Sequence, residues 1–130
     1  MTTTFQYQLT VPSSAIDAMG HVNNVVYLQW VQDAAEKHWL DKGVHLREIY
    51  AWVALDHHIT YKAPAFEGEI LEISTFVKGF SGPKSERHTQ IKRLSDGKLM
   101  ASAVTNWCLL KMPEGKPMRV PEEICNLFGL

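Results

Sequence analysis

The sequence predicts an α+β fold in which one long helix packs against a single antiparallel sheet. Three observations carry that prediction. The stretch 24–42 repeats apolar residues at helical spacing and is apolar around most of its circumference; such a helix is normally covered by other structure. Four strand-like runs follow it with no second long helix between them. The breaks between these runs are short and rich in glycine, proline, serine and aspartate, as hairpin connections are. One helix and one antiparallel sheet make a two-layer architecture. A length of 130 residues fits one domain, 1-130.

The elements follow in order. "TFQYQLTV", residues 4–11, alternates and is β-rich, so it reads as a strand, broken by Pro12, Ser13 and Ser14. A loop runs to Gly20. Asn23 or Asn24 can cap the helix, because a short side-chain oxygen satisfies an orphan N–H of the first turn. Leu28, Val31, Ala35 and Trp39 form one helical stripe, with Val25, Val26, Tyr27, Trp30 and Ala34 on other faces. Gly43 sits where a helix usually stops. The strand-like runs are 52–62, 69–80, 84–94 and 98–111. The second places Leu71, Ile73, Thr75 and Val77 on one face, and the third, "KSERHTQIKRL", is unusually polar. Ser95, Asp96 and Gly97 make a compact turn that joins the last two as a hairpin. Pro121 and the acids after it start a short terminal helix. A sheet wrapped on one helix leaves its other face and its edges open, and a second copy of the chain is the expected cover.

Composition excludes several functions. Apolar residues make up 45%, charged residues 21%, and the net charge is -1. That is ordinary globular composition and lacks the basic stripe of a nucleic-acid binder. Cys108 and Cys125 lie far apart with no CxxC spacing, so they read as free thiols in a reducing compartment. No charged-then-apolar signal opens the sequence, and no apolar run approaches the ~18 residues of a membrane span. A cytoplasmic location without a membrane span is the expectation. His57 and His58 are neighbours in a strand and point to opposite faces, so they cannot chelate one metal. His38, His45 and His88 show no ligand spacing, and HExxH, GxSxG, GxGxxG and P-loop motifs are missing. Neither metal nor separate cofactor is expected.

The chemistry concentrates in "IDAMGHVNNVVYLQW", residues 16–30. Asp17 stands on a loop just before the helix. It can complement the helix dipole or bond loop amides. It can also act as base or nucleophile beside the first N–H groups of the helix, which have no intrahelical partner and can hold a developing oxyanion. That pair suits attack on a carbonyl, especially a thioester. The amide of Asn24 or Val25 is the candidate oxyanion donor. Gly20 lets the loop turn tightly and lets a substrate approach the backbone. His21 reads as a hydrogen-bonding residue of the same loop.

These residues resemble the signature of hotdog-fold thioesterases of the 4-hydroxybenzoyl-CoA thioesterase and YbgC type, in which an Asp-x-x-Gly-x-Val-x-x-x-x-Tyr run precedes the central helix. Downstream, "ITYKAPAFEGEILEI" and "SDGKLMASAVTNWCLLKMPEGKPMRVPEEI" are similar to the family's later stretches. The resemblance implies a hotdog fold, a five-stranded antiparallel sheet wrapped around one long central helix. It implies homodimers, often paired into homotetramers, with active sites at the dimer interface. It implies Asp17 as the catalytic carboxylate, the Asn24 N–H as the carbonyl polariser, Gly20 beside the thioester and Tyr27 lining the acyl pocket. "HVNNVVYLQW" also looks like plant acyl-ACP thioesterases, but those carry an asparagine where this chain has Met19, and two hotdog units.

Coenzyme A phosphates need cations. Lys78, Lys84, Arg87, Lys92 and Arg93 cluster on the polar hairpin, where a merely solvated strand face is the other reading. Lys84 and Arg87, beside the "GFSGP" loop, are the selected contacts; His21 and Val25 complete the substrate-binding set. The function expected is hydrolysis of an acyl-CoA thioester to free acid and CoA, with CoA entering only as part of the substrate. The alternatives are an acyl-ACP thioesterase and a non-catalytic acyl-CoA-binding hotdog protein.

Overall fold

The computed structural model describes residues 3–130. Strand β1 (Thr4–Thr10) leads through a 3₁₀ turn at Ser13–Ala15 to helix α1 (Asn24–Gly43). Strands β2 (Tyr50–Tyr61), β3 (Ile70–Ser81), β4 (Lys84–Arg93) and β5 (Leu99–Lys111) follow. A two-residue strand β6 (Lys116–Pro117) and helix α2 (Glu122–Leu127) complete the chain. The sheet order is β1-β3-β4-β5-β2, every pair antiparallel, with β6 added to β5. The predicted elements all form. The sheet has five long strands as expected and gains the short β6, whose Lys-Pro pair carries no strand signal; it pairs with Leu110 and Lys111 as the chain doubles back.

Helix α1 lies against one face of the curled sheet and buries Tyr27, Trp30, Val31, Ala34, Ala35, His38 and Trp39. The core has two apolar halves. One gathers Val22, Tyr27, Val31, Ala34, Leu71, Ile73, Ile91 and Met100 around the N-terminal half of α1. The other gathers Trp39, Leu46, Val77, Leu109, Ile124 and Phe128 around its C-terminal end. Four elements also bury polar residues: His38 from α1, Thr75 from β3, Ser85, Arg87 and Thr89 from β4, and Thr105 from β5. Strand alternation explains the polar look of β4. Lys84, Glu86, His88 and Gln90 face outward, while Ser85, Arg87, Thr89 and Ile91 face the helix.

His38 is fully enclosed and stacks between Phe5 and the edge of Phe128. Arg87 Nη1 donates to its Nδ1 at 2.9 Å, so the ring proton sits on Nε2, 3.4 Å from the Thr3 hydroxyl. Burial, with Arg87 and Lys42 adding, pushes the His38 pKa down to about 3. The unfolded chain takes up this proton near pH 6.5 and the folded chain does not, so stability falls as pH drops from about 6.5 towards 3. By pH 5 the expected loss is on the order of 1–2 kcal/mol. Urea unfolding at pH 7.5 and 5.0 checks it, with a flatter dependence expected for His38→Gln.

Gly43 closes α1, but not as a left-handed cap. Its φ is -124°, and the chain continues directly into a 3₁₀ turn at Val44–Leu46. Glycine is needed for another reason. A Cβ here would lie 2.8 Å from the Trp39 ring. Gly43→Ala is expected to cost about 1–3 kcal/mol through this overlap, read as a lower urea midpoint.

Candidate active site

The loop before α1 is a small hairpin. Ile16 and Val22 form an antiparallel bridge, and the Asp17 N–H donates to His21 O at 3.0 Å. The Gly20 N–H donates to Asp17 O at 3.0 Å, and Gly20 has φ of 84°, the left-handed region that the tight turn requires. Asp17 Oδ1 accepts from the Met19 N–H at 2.9 Å, which fixes the carboxylate against its own turn. One aspartate oxygen therefore does the local structural work anticipated for it. His21 Nδ1 stands 4.0 Å from Asp17 Oδ1, too far to bond, and donates instead to Val22 O at 3.3 Å. The hairpin is anchored behind by the Val22 N–H to Ala65 O and the Asn23 N–H to Ala15 O.

The helix start settles the cap and bears on the choice of amide. Asn23 is the cap: its side-chain oxygen accepts from the Val25 N–H at 2.9 Å. That bond occupies the Val25 amide and removes it as an oxyanion donor. The Val26 N–H bonds Asn23 O at 2.9 Å. The Asn24 N–H, at the first helical position, has no partner among the described residues. It heads a helix of 20 residues, so a partial positive charge stands at this amide. Tyr61 Oη donates to Asn24 O at 3.2 Å and ties the end of β2 to the helix start. Met19 (78% exposed) in the hairpin and Val25 (70% exposed) next to Asn24 present apolar side chains to the surface, as do Tyr61 and Phe66.

Other expected residues stand elsewhere. Tyr27 turns into the core at 2% exposure, and its hydroxyl accepts from the Ala65 N–H at 3.2 Å. It braces the segment that anchors the Asp17 hairpin, and burial raises its pKa. Arg87 corrects the expectation of a surface phosphate contact: strand alternation turns it inward to 5% exposure, on His38 and Thr75. Lys84 is exposed at the start of β4. Arg87 meets α1 at His38, about 21 Å along the axis from Asn24 at 1.5 Å per residue, so it stands apart from the stretch 17–25 that carries Asp17, Gly20, His21, Asn24 and Val25. Glu69 is committed to the Phe66 N–H and to Arg93. Tyr61 and Ala65 are the positioning residues that sequence reasoning missed; their contacts with α1 cross 37 and 38 residues and leave no local pattern.

Among the described residues no helix is long and apolar enough to cross a membrane, and no group of side chains has the arrangement of a metal site. Residues 11–128 match the family model of the thioesterase-like superfamily. No curated protein matches the sequence. Several solved structures share the fold. A 1,4-dihydroxy-2-naphthoyl-CoA thioesterase from Synechocystis superposes with a TM-score of 0.83 at 22% identity, over 96% of this chain and 95% of that one. YbaW, a probable thioesterase from Escherichia coli, gives 0.83 at 21% identity over 94% of each chain. A Staphylococcus aureus protein solved in complex with CoA gives 0.87 at 16% identity, over 98% of this chain and 82% of that one.

Proposed function

The chain belongs to the thioesterase-like superfamily and has the hotdog fold, and on that premise we propose that it hydrolyses an acyl-CoA thioester to a free acid and CoA. The observation that carries this reading is the Asn24 N–H, unpartnered among the described residues, at the start of the helix that directly follows the hairpin carrying the Asp17 carboxylate. In the proposed reaction the thioester oxygen accepts from the Asn24 N–H, which meets the charge that develops on that oxygen. Asp17 takes a proton from water as the water attacks the carbonyl carbon, or attacks that carbon itself and forms an anhydride that water then opens. Collapse of the tetrahedral intermediate breaks the C–S bond. The CoA thiolate leaves and is protonated by solvent, and the acid leaves as a carboxylate. The steps use a carboxylate, water and an amide, and call on no metal or separate cofactor.

Gly20 supports this reading because open space lies where a Cβ would stand, leaving backbone that a thioester can approach. Val25 and Met19 offer the acyl-proximal atoms apolar contact. His21, beside the carboxylate, is proposed as a substrate contact, and exposed Lys84 as a phosphate contact of the CoA arm.

A homodimer belongs to the proposal. Strand β2 is an edge of the sheet, and at its centre Val53, Ala54, Leu55 and Asp56 are all exposed. An edge with exposed Val and Leu is normally covered. The test is thiol release from a panel of acyl-CoAs, run beside the matching acyl-ACP thioesters. Turnover of CoA esters is expected; binding without thiol release across the panel would leave a carrier or sensor in place of a hydrolase.

A further inference from the structure

A cavity of about 390 Å³ opens between α1 and the β2 side of the sheet. Trp39, Trp52, Phe80 and Phe128 give it apolar walls, and Arg87 lies on its lining. Asp33 and Glu36 line it from α1. It is centred on the C-terminal half of the helix, away from the Asp17 hairpin.

Arg87 is an uncompensated charge. A buried cation normally has an anionic partner, because an unpaired one bears a large desolvation cost. No carboxylate among the described residues lies within salt-bridge distance of Arg87. Its protein partners are neutral: His38 Nδ1 at 2.9 Å and Thr75 Oγ1 at 3.1 Å, both on Nη1, with the Phe128 ring 5.9 Å away. Burial lowers its pKa to about 10, which still leaves it charged at neutral pH. Among the described residues the Nε and Nη2 groups meet no protein acceptor. The one sealed, unpartnered side-chain atom among the described residues is Trp107 Nε1, so the free edge of the guanidinium is not sealed and opens on the cavity. Trp107 is itself part of the wall, a second donor without an acceptor.

We propose that this cavity binds an organic acid head-first, its carboxylate paired with the free edge of the Arg87 guanidinium and its apolar body against Trp39, Trp52 and Phe80. A planar carboxylate matches the fork of Nε and Nη2 in two parallel hydrogen bonds. The aromatic walls favour an apolar tail over a hydrated polyanion. Asp33 and Glu36 repel a carboxylate left beside the helix, which favours the head-in orientation.

Binding is read by the fluorescence of the wall tryptophans, titrating decanoate beside decanol. Wild-type protein is expected to bind the acid at least ten-fold more tightly than the alcohol, and Lys98→Met, outside the cavity, to keep that preference. Arg87→Met is expected to bind both alike. Equal affinities in the wild type overturn the proposal, and that comparison needs no variant. So does a preference for the acid that persists in folded Arg87→Met. Asp17→Asn protein loaded with decanoyl-CoA separates two sources of such a carboxylate. Decanoate that still binds occupies a site of its own; decanoate that is excluded shares the acyl path, so the anion is the far end of an acyl group. Only this last arm rests on the hydrolytic reading.

Discussion

Asp17→Asn is expected to lower kcat for acyl-CoA hydrolysis by about 100- to 10,000-fold, the usual contribution of a positioned base. The fold should survive. In the structure Oδ1 accepts from the Met19 N–H, and an asparagine oxygen can accept the same bond. The Gly20 and His21 contacts that close the hairpin are backbone to backbone and do not involve the side chain. What disappears is the charge and the basic oxygen, so loss of turnover with an unchanged melting temperature assigns the chemistry to the carboxylate. KM should change little, since the proposed binding contacts, on the Gly20 backbone, His21, Val25, Met19 and Lys84, do not include the Asp17 side chain. Undiminished kcat in Asp17→Asn would return the residue to its turn-forming role. Single-turnover hydrolysis in ¹⁸O-labelled water tests the covalent route: label appearing in the Asp17 carboxylate marks an anhydride that water opens at the Asp17 carbonyl.

The fold was legible because its signals are periodic. Apolar recurrence marked α1 to within a residue, and the turn residues around Gly82 and Gly97 separated the strands. The hairpin of residues 16–22 was legible as a motif, since aspartate, glycine and asparagine at those spacings have local reasons to be there. Orientation within β4 was not. In "KSERHTQIKR" both faces are polar, so alternation exists in space but not in hydropathy, and the inward turn of Ser85, Arg87 and Thr89 could not be read. The inward residues are tolerated because they bond one another across strands, Thr75 to Thr89 at 3.0 Å and Arg87 to Thr75, which no single segment reveals. Tyr27 misled for a related reason. A tyrosine one turn into a helix can line a pocket or brace a loop, and only the Ala65 amide, far along the chain, decides for the brace.

Asn24→Pro isolates the amide itself. Proline suits the first helical position, where its fixed φ is helical and its missing N–H breaks no intrahelical bond. The residue before it must be extended, and Asn23 already is, with φ -64° and ψ 136°. The cap from Asn23 to Val25 does not involve the Asn24 N–H. The substitution therefore removes one donor from the helix start and little else. Loss of a single oxyanion donor is expected to lower kcat by about 100- to 1,000-fold. Asn24→Ala, which keeps the amide, should retain most of the activity, because the side chain makes no bond among those described. The contrast between the two variants carries the argument. Equal loss in both would move the donor from backbone to side chain. Full activity in a folded Asn24→Pro would take the helix start out of the mechanism, and the developing charge would then have to be met elsewhere in the loop, where His21 Nδ1 stands 4.0 Å from Asp17 Oδ1.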